Sequence, residues 1–264
     1  ENASISLFCL FLHFLYTSPM PTRKIYTNTL AQIGAKLLTA LISIVMIKVL
    51  TNYLDIAGYG LYSKIYNYLS IFAVIADLGL YTITVRELTK YEDDEKMVEK
   101  ISSNVLTLRT VSGLLILGLS LAIAPFLSGY DTPTAYIGIA IASLFTLAGL
   151  MNSSIMSYLQ ATLRTEFSLV ANTSGKLLTF GMIVLFASVL YPATGIENSP
   201  LTKRGLAGIL DPNALKFTLV MLAGLAGNIL MTALTWWYAS RHHRIHFAWD
   251  SEYIRHIIRI SLPY

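Results

Sequence analysis

Two lysines occupy positions that call for a chemical explanation. Lys36 and Lys176 each stand inside an otherwise apolar run. An ammonium in hydrocarbon costs about 2.5–3.5 kcal/mol on insertion scales, so each must face water, a carboxylate or an anionic ligand. Lys36 lies nine residues past Thr27. At about 1.5 Å per residue that is about 14 Å of helix, near the middle of a core about 30 Å thick. Lys176 reaches a similar depth from the cytoplasmic end of its own run, the fifth. Polar residues accompany both at helical spacing. Thr29, Gln32, Lys36, Thr39 and Ser43 share one face, and Asn172, Lys176 and Thr179 share another. Ser63, Asn67, Ser70 and Asp77 form a third stripe, and Thr146, Gly149, Ser153, Ser157 and Gln160 a fourth. Turned toward one another, such faces enclose a water-accessible cavity in which Lys36 and Lys176 hold an anion and Gln32, Ser43, Asn67 and Asn172 hydrogen-bond a polar cargo. The alternative for the fourth stripe, and for Ala223 and Gly227, is close helix packing through small residues.

The other charges read less sharply. Lys64 is close enough to a helix end to snorkel, and Arg109 sits near the cytoplasmic end of its run, close to its start. Both stand as cavity candidates beside a packing role. Asp77 could cap a helix, titrate, or pair with Arg86 or Arg109; structural pairing is the favoured reading.

The elements that must position these residues are membrane helices. The chain has 264 residues, 55% hydrophobic and only 13% charged, with a mean hydropathy of +0.59. An ordinary soluble domain carries about 25% charged residues, so a soluble enzyme is excluded. Six apolar runs approach the length of a bilayer crossing: Thr27 to Leu50, Gly60 to Val85, Asn104 to Leu127, Ala135 to Tyr158, Phe167 to Leu190 and Leu215 to Tyr238. Transmembrane strands would be about half as long and would alternate, so the class is all-α, a polytopic helix bundle. With the amino terminus cytoplasmic, that side receives Arg23, Lys24, Arg86, Lys90, Lys96, Lys100, Arg164, Arg241, Arg244, Arg255 and Arg259. The other side receives only Lys48, Lys203, Arg204 and Lys216. The basic excess therefore favours a cytoplasmic amino terminus in the cell membrane. Trp236, Trp237 and Tyr238 sit where an interfacial aromatic belt belongs.

Several chemistries drop out. The net charge of +4 is dispersed among apolar runs, against a nucleic-acid partner. A lone cysteine, Cys9, supplies no disulfide framework, Cys-based zinc site or iron–sulfur cluster. His242, His243 and His246 follow the aromatic belt in a basic stretch and suit anionic headgroups better than a metal. No Gly-rich phosphate loop, HExxH or catalytic triad pattern stands out, and no cofactor is called for. Asn152-Ser153-Ser154 and Asn172-Thr173-Ser174 match a glycosylation sequon inside apolar runs, where it is coincidental. The expected organisation is residues 1–19 as an upstream, non-structural segment, 20–240 as a six-helix lobe, and 241–264 as a cytoplasmic amphipathic linker leading into a seventh helix cut off at its start.

A family resemblance is carried by Asn28, Gln32 and Lys36, by LTNYLDIAGYGLYS (Leu50 to Ser63), ADLGLYTITVREL (Ala76 to Leu88) and LQATLRTEFSLVANTSGKLL (Leu159 to Leu178), and by the closing ISLPY. In these the chain resembles the polysaccharide-biosynthesis flippases of the multidrug/oligosaccharidyl-lipid/polysaccharide exporter superfamily, from Asn28 to Tyr264. The resemblance implies a MATE-like fold of two six-helix lobes around a central cavity, working by alternating access, of which this chain would be the amino-terminal lobe and the missing carboxyl-terminal lobe a partner. It implies a polyprenyl-pyrophosphate-linked oligosaccharide as cargo, with membrane lipids around it and no bond made or broken. Two other functions stay open: a cation-coupled drug antiporter using Asp77, and a membrane glycosyltransferase or polymerase with catalytic groups in the loop from Tyr191 to Asn213.

Overall fold

The computed structural model describes residues 21–77, 79–91, 93–162, 165–190, 212–241 and 245–261. The expectations for residues 1–19, for the loop residues 191–211, for His242 and His243 and for the final 262–264 lie outside these residues, as does the side chain of Gln32. The chain divides into two compact units, Glu1–Leu41 and Ile42–Tyr264.

Every regular element among the described residues is helical: α1 (Pro21–Asp77), α2 (Leu80–Lys90), α3 (Glu95–Ile123), α4 (Pro133–Ala161), α5 (Thr165–Leu185), α6 (Pro212–Ser240) and α7 (Ser251–Ser261). Short 3-10 and π segments follow α3 (Ala124–Phe126) and α5 (Phe186–Leu190). Five stretches are long and apolar enough to cross a membrane: Lys36–Lys90, Glu95–Phe126, Pro133–Ala161, Phe167–Ser188 and Asn213–Ser240. The first, at 55 residues, holds the second of the six expected runs and the part of the first from Lys36 onward. Its division is local: Asp55 stands at φ 62°, ψ −179°, inside α1. A side chain at positive φ is costly outside glycine. The compensation visible here is a cap, because the Gly58 N–H donates to Asp55 Oδ1 at 2.9 Å and starts the second limb.

A second interruption, at Gly79 (φ 70°), separates α1 from α2. Other ends follow the usual capping chemistry. The Lys96 and Met97 N–H groups both donate to Asp94 Oδ1 at 3.1 Å, and Thr132 caps α4 ahead of Pro133 in the first turn.

Within Ile42–Tyr264 the apolar side chains form two clusters. One joins Leu50, Tyr53, Ile65 and Leu69 with Ile139, Phe217 and Met221. The other joins Leu80, Ile83, Ile101 and Leu106 with Ile155, Tyr158, Ile254 and Ile257. The second cluster is where α7 docks, burying Tyr253, Ile254 and Ile257 and leaving Arg255 and Arg259 exposed. Helices α5 and α6 approach until backbone meets backbone. A Cβ on Gly175 would lie 2.6 Å from the Gly227 carbonyl oxygen, and one on Gly227 would collide with Thr179 Oγ1. Small residues are what allow this approach in a membrane helix pair.

Candidate functional site

The interruption at Gly79 assembles a charge cluster. Helix α1 ends on Asp77, and α3 presents Arg109 beside it with Nη2 2.6 Å from Asp77 Oδ1. Arg109 Nη1 donates to Ser153 Oγ at 2.6 Å and, more distantly, to Ser154 Oγ at 3.4 Å. Tyr81 places its ring 6.0 Å from the guanidinium and donates its hydroxyl to Gln160 Oε1. Carbonyls at the end of α1 have lost their helical donors, and Ser112 Oγ donates to one of them, Ala76 O, at 3.3 Å. A cation at the carboxyl end of a helix is favourable, and a planar fork of donors suits a carboxylate with two hydroxyls. Arg109 is fully enclosed, while the Asp77 side chain keeps 32% exposure. Of the two partners considered for Asp77, the structure brings it Arg109. Arg86 is exposed on α2.

Lys176 has a different setting. Half-buried on α5, its ammonium donates to Ser43 Oγ on α1 at 3.3 Å, and no carboxylate pairs with it among the described residues. Asn172, one turn earlier, is also half-buried. One residue from each of the polar faces expected on the first and fifth runs, Ser43 and Lys176, is thus brought into contact. In the unit Glu1–Leu41, Lys36 is exposed, and its carbonyl accepts from Thr39 Oγ1 at 2.9 Å.

On the second limb of α1, Asn67 and Ser70 are exposed on one face. Lys64 points elsewhere: its ammonium donates to Gly129 O at 3.1 Å and lies 4.4 Å from the centre of the Tyr130 ring. It therefore holds the turn between α3 and α4, and the structure does not bring it to Lys176. The fourth stripe divides between the two uses considered for it. Ser153 serves Arg109, Ser157 is fully buried, and the neighbouring backbone bonds to α6 through Asn228 Nδ2 to Phe145 O (2.7 Å) and Thr232 Oγ1 to Ala148 O (3.1 Å).

Two polar features were not singled out from the sequence. Lys216, at the start of α6, is only 7% exposed. Its ammonium lies 5.7 Å from the Tyr53 ring, beside a cavity of about 140 Å³ that Asp55, Gly58 and Asn213 also line. Counted by flanking charge, it reads as an ordinary end-of-helix lysine; its burial comes from the turn at Asp55. The second is a row of α3 side chains, Ser103, Asn104 and Thr107, that accept the N–H groups of His246 (3.2 Å), Asp250 (2.6 Å) and Ala248 (3.0 Å). In sequence they look like the unremarkable polar start of an apolar run. Among the described residues no three His, Cys, Asp or Glu side chains gather as a metal ligand set.

Against known proteins, the family model described as "Polysaccharide biosynthesis protein" matches residues 25–204. No curated protein and no solved structure matches the chain. The matched residues include Lys36, Lys64, Asp77, Arg109 and Lys176, that is, the charges described above from α1 to α5.

Proposed function

Because the chain belongs to the polysaccharide biosynthesis protein family, a multi-pass membrane protein with a role in polysaccharide synthesis, we propose that it moves a polyprenyl-pyrophosphate-linked oligosaccharide across the cytoplasmic membrane. The observation that carries this reading is Lys176, a cation on a membrane helix met by a hydroxyl at 3.3 Å and by no carboxylate among the described residues. A hydroxyl cannot neutralise an ammonium, so its field remains available to an anion. A pyrophosphate entering an apolar layer needs such fixed positive charge, while the lipid tail stays in the bilayer. Asn67 and Asn172 would supply hydrogen bonds to headgroup and sugar as hydration is lost; Lys36, in the unit Glu1–Leu41, is a separate cationic candidate. The amino terminus is cytoplasmic in this proposal, from the distribution of Lys and Arg. Transport is by alternating access with a second lobe, as the resemblance implies. No covalent step is involved.

The antiporter alternative needs a membrane carboxylate able to exchange a cation, and Asp77 is engaged by Arg109 at 2.6 Å. The transferase alternative relies on a loop whose residues 191–211 lie outside those described.

Binding tests the proposal. In nanodiscs, the chain should retain a fluorescent polyprenyl-pyrophosphate saccharide, Lys176→Arg should retain it, and Lys176→Gln should weaken it about tenfold, or 1.4 kcal/mol. Equal retention by Lys176→Gln, or equal binding of an uncharged polyprenyl glycoside, overturns the reading.

A further inference from the structure

A cavity of about 310 Å³ opens where the segment before α7 lies against the first turns of α3. Its walls carry Lys96, Glu99 and Lys100 from α3 and His246, Trp249 and Asp250 from the segment, with Ser103 and Asn104 at its base. The base is rigid. Ser103 and Asn104 are almost fully buried and accept the His246 and Asp250 N–H groups. Lys100 pairs with Asp250 at 2.7 Å, and Glu99 with His246 Nδ1 at 3.4 Å. The Lys96 ammonium has no hydrogen-bond or ion-pair partner among the described residues. Opposite charges therefore stand side by side in a preformed cavity large enough for a small ligand, with an aromatic ring at its edge.

Depth identifies what reaches it. Helix α3 has 29 residues, about 43 Å at 1.5 Å per residue, which exceeds a hydrocarbon core of about 30 Å. The apolar run begins at Asn104, so the turns carrying Lys96, Glu99 and Lys100 extend into the headgroup layer. Phe247 and Trp249, each 56% exposed, have the character of residues at that level, as does Trp237 beneath Arg241 (3.9 Å from the ring centre). An anionic headgroup would answer Lys96 and Lys100 but, by drawing Lys100 away, would leave Asp250 without its partner and bring like charge beside Glu99. A choline headgroup would bring a cation with no N–H to donate.

We propose that this cavity binds the headgroup of a phospholipid carrying both a phosphate and a primary ammonium, of the phosphatidylethanolamine type. Its phosphate is taken by Lys96 with Lys100, and its ammonium by Glu99 with Asp250 beside Trp249. The site is independent of the cargo proposed above and would exist whatever the protein transports.

The test titrates short-chain phosphatidylethanolamine, phosphatidylcholine and phosphatidylglycerol into the detergent-solubilised chain and follows tryptophan emission, with Trp249→Phe to locate the signal among the three tryptophans. The expected result is a saturable change with the ethanolamine lipid only, lost in Trp249→Phe. In Lys96→Gln and in Glu99→Gln the apparent Kd weakens about tenfold, with unchanged circular dichroism. The proposal is overturned by no saturable response, by an equal response to the choline or glycerol lipid, by a signal that survives Trp249→Phe, or by unchanged affinity in both charge variants.

Discussion

Arg109 and Lys176 are both cations on membrane helices of one bundle, and they are treated in opposite ways. Arg109 is enclosed at the Gly79 interruption and receives a carboxylate and two serine hydroxyls. Lys176 is half-buried and receives a single hydroxyl at 3.3 Å. A cation whose charge is answered inside the fold is part of what holds the helices together; one answered only by a dipole keeps a field for something else. Lys100 is a third case, answered by Asp250 at 2.7 Å but 45% exposed, where solvent leaves a pair of small worth. In this series, enclosure and the identity of the partner separate Arg109, answered inside the fold, from Lys176, to which the proposed function gives a binding role.

The comparison is broken most severely at its enclosed end. Asp77→Asn leaves the Arg109 guanidinium buried without its counter-charge and should cost about 3–5 kcal/mol, read as earlier unfolding in a denaturing-detergent titration; Asp77→Leu with Arg109→Met should recover part of that loss. If Asp77→Asn is as stable as the parent, the pair is not structural and the contrast with Lys176 fails. Next in size, Gly227→Ala drives a Cβ into Thr179 and toward Gly175 O. Overpacking of this kind costs about 1–3 kcal/mol in the same titration, and Gly224→Ala, whose Cβ would stand 3.3 Å from Tyr66 Oη, should cost less. At the binding end, Lys176→Gln should leave stability within about 0.5 kcal/mol of the parent while lowering retention of an anionic lipid-linked saccharide. A variant that instead unfolds early would move Lys176 to the structural side.

The exposed pair gives the smallest effect, in its dependence on pH. The hydrogen bond from Lys100, then that from the Tyr253 N–H, holds the Asp250 carboxyl below its ordinary range. A carboxylate with a lowered folded pKa contributes stability that is present above the unfolded value, about 3.9, and is lost as pH falls through the folded value. Docking of the segment before α7, followed by Trp249 emission, should therefore be flat in this contribution from neutral pH down to about pH 4 and weaken only below it. In Asp250→Asn that acid limb should disappear.

Much of this architecture follows from composition and periodicity. Apolar runs of about 20 residues leave helices as the economical way to satisfy backbone groups in lipid, and the five membrane-length stretches fall on the six runs read from the sequence. Asp55 explains the one difference, since its positive φ divides a stretch that hydropathy alone reads as two. The sites were legible in part. Spacing placed Ser43 and Lys176 on polar faces, and those two residues are in contact. Spacing could not choose between Arg86 and Arg109 as the partner of Asp77, because the choice turns on how α3 crosses the break at Gly79. Nor could it show that Lys64 turns to Gly129 and Tyr130, or that Lys216 is buried.

What the sequence determined by itself is therefore the part governed by the solvent: which segments enter a membrane, and which of their residues are too polar to face lipid. Tertiary structure decided which polar residue answers which. An ion pair depends on a few ångströms between side chains far apart in the chain, such as the 2.6 Å between Asp77 and Arg109. Helical periodicity fixes the face a residue occupies and leaves open the neighbour that face will meet.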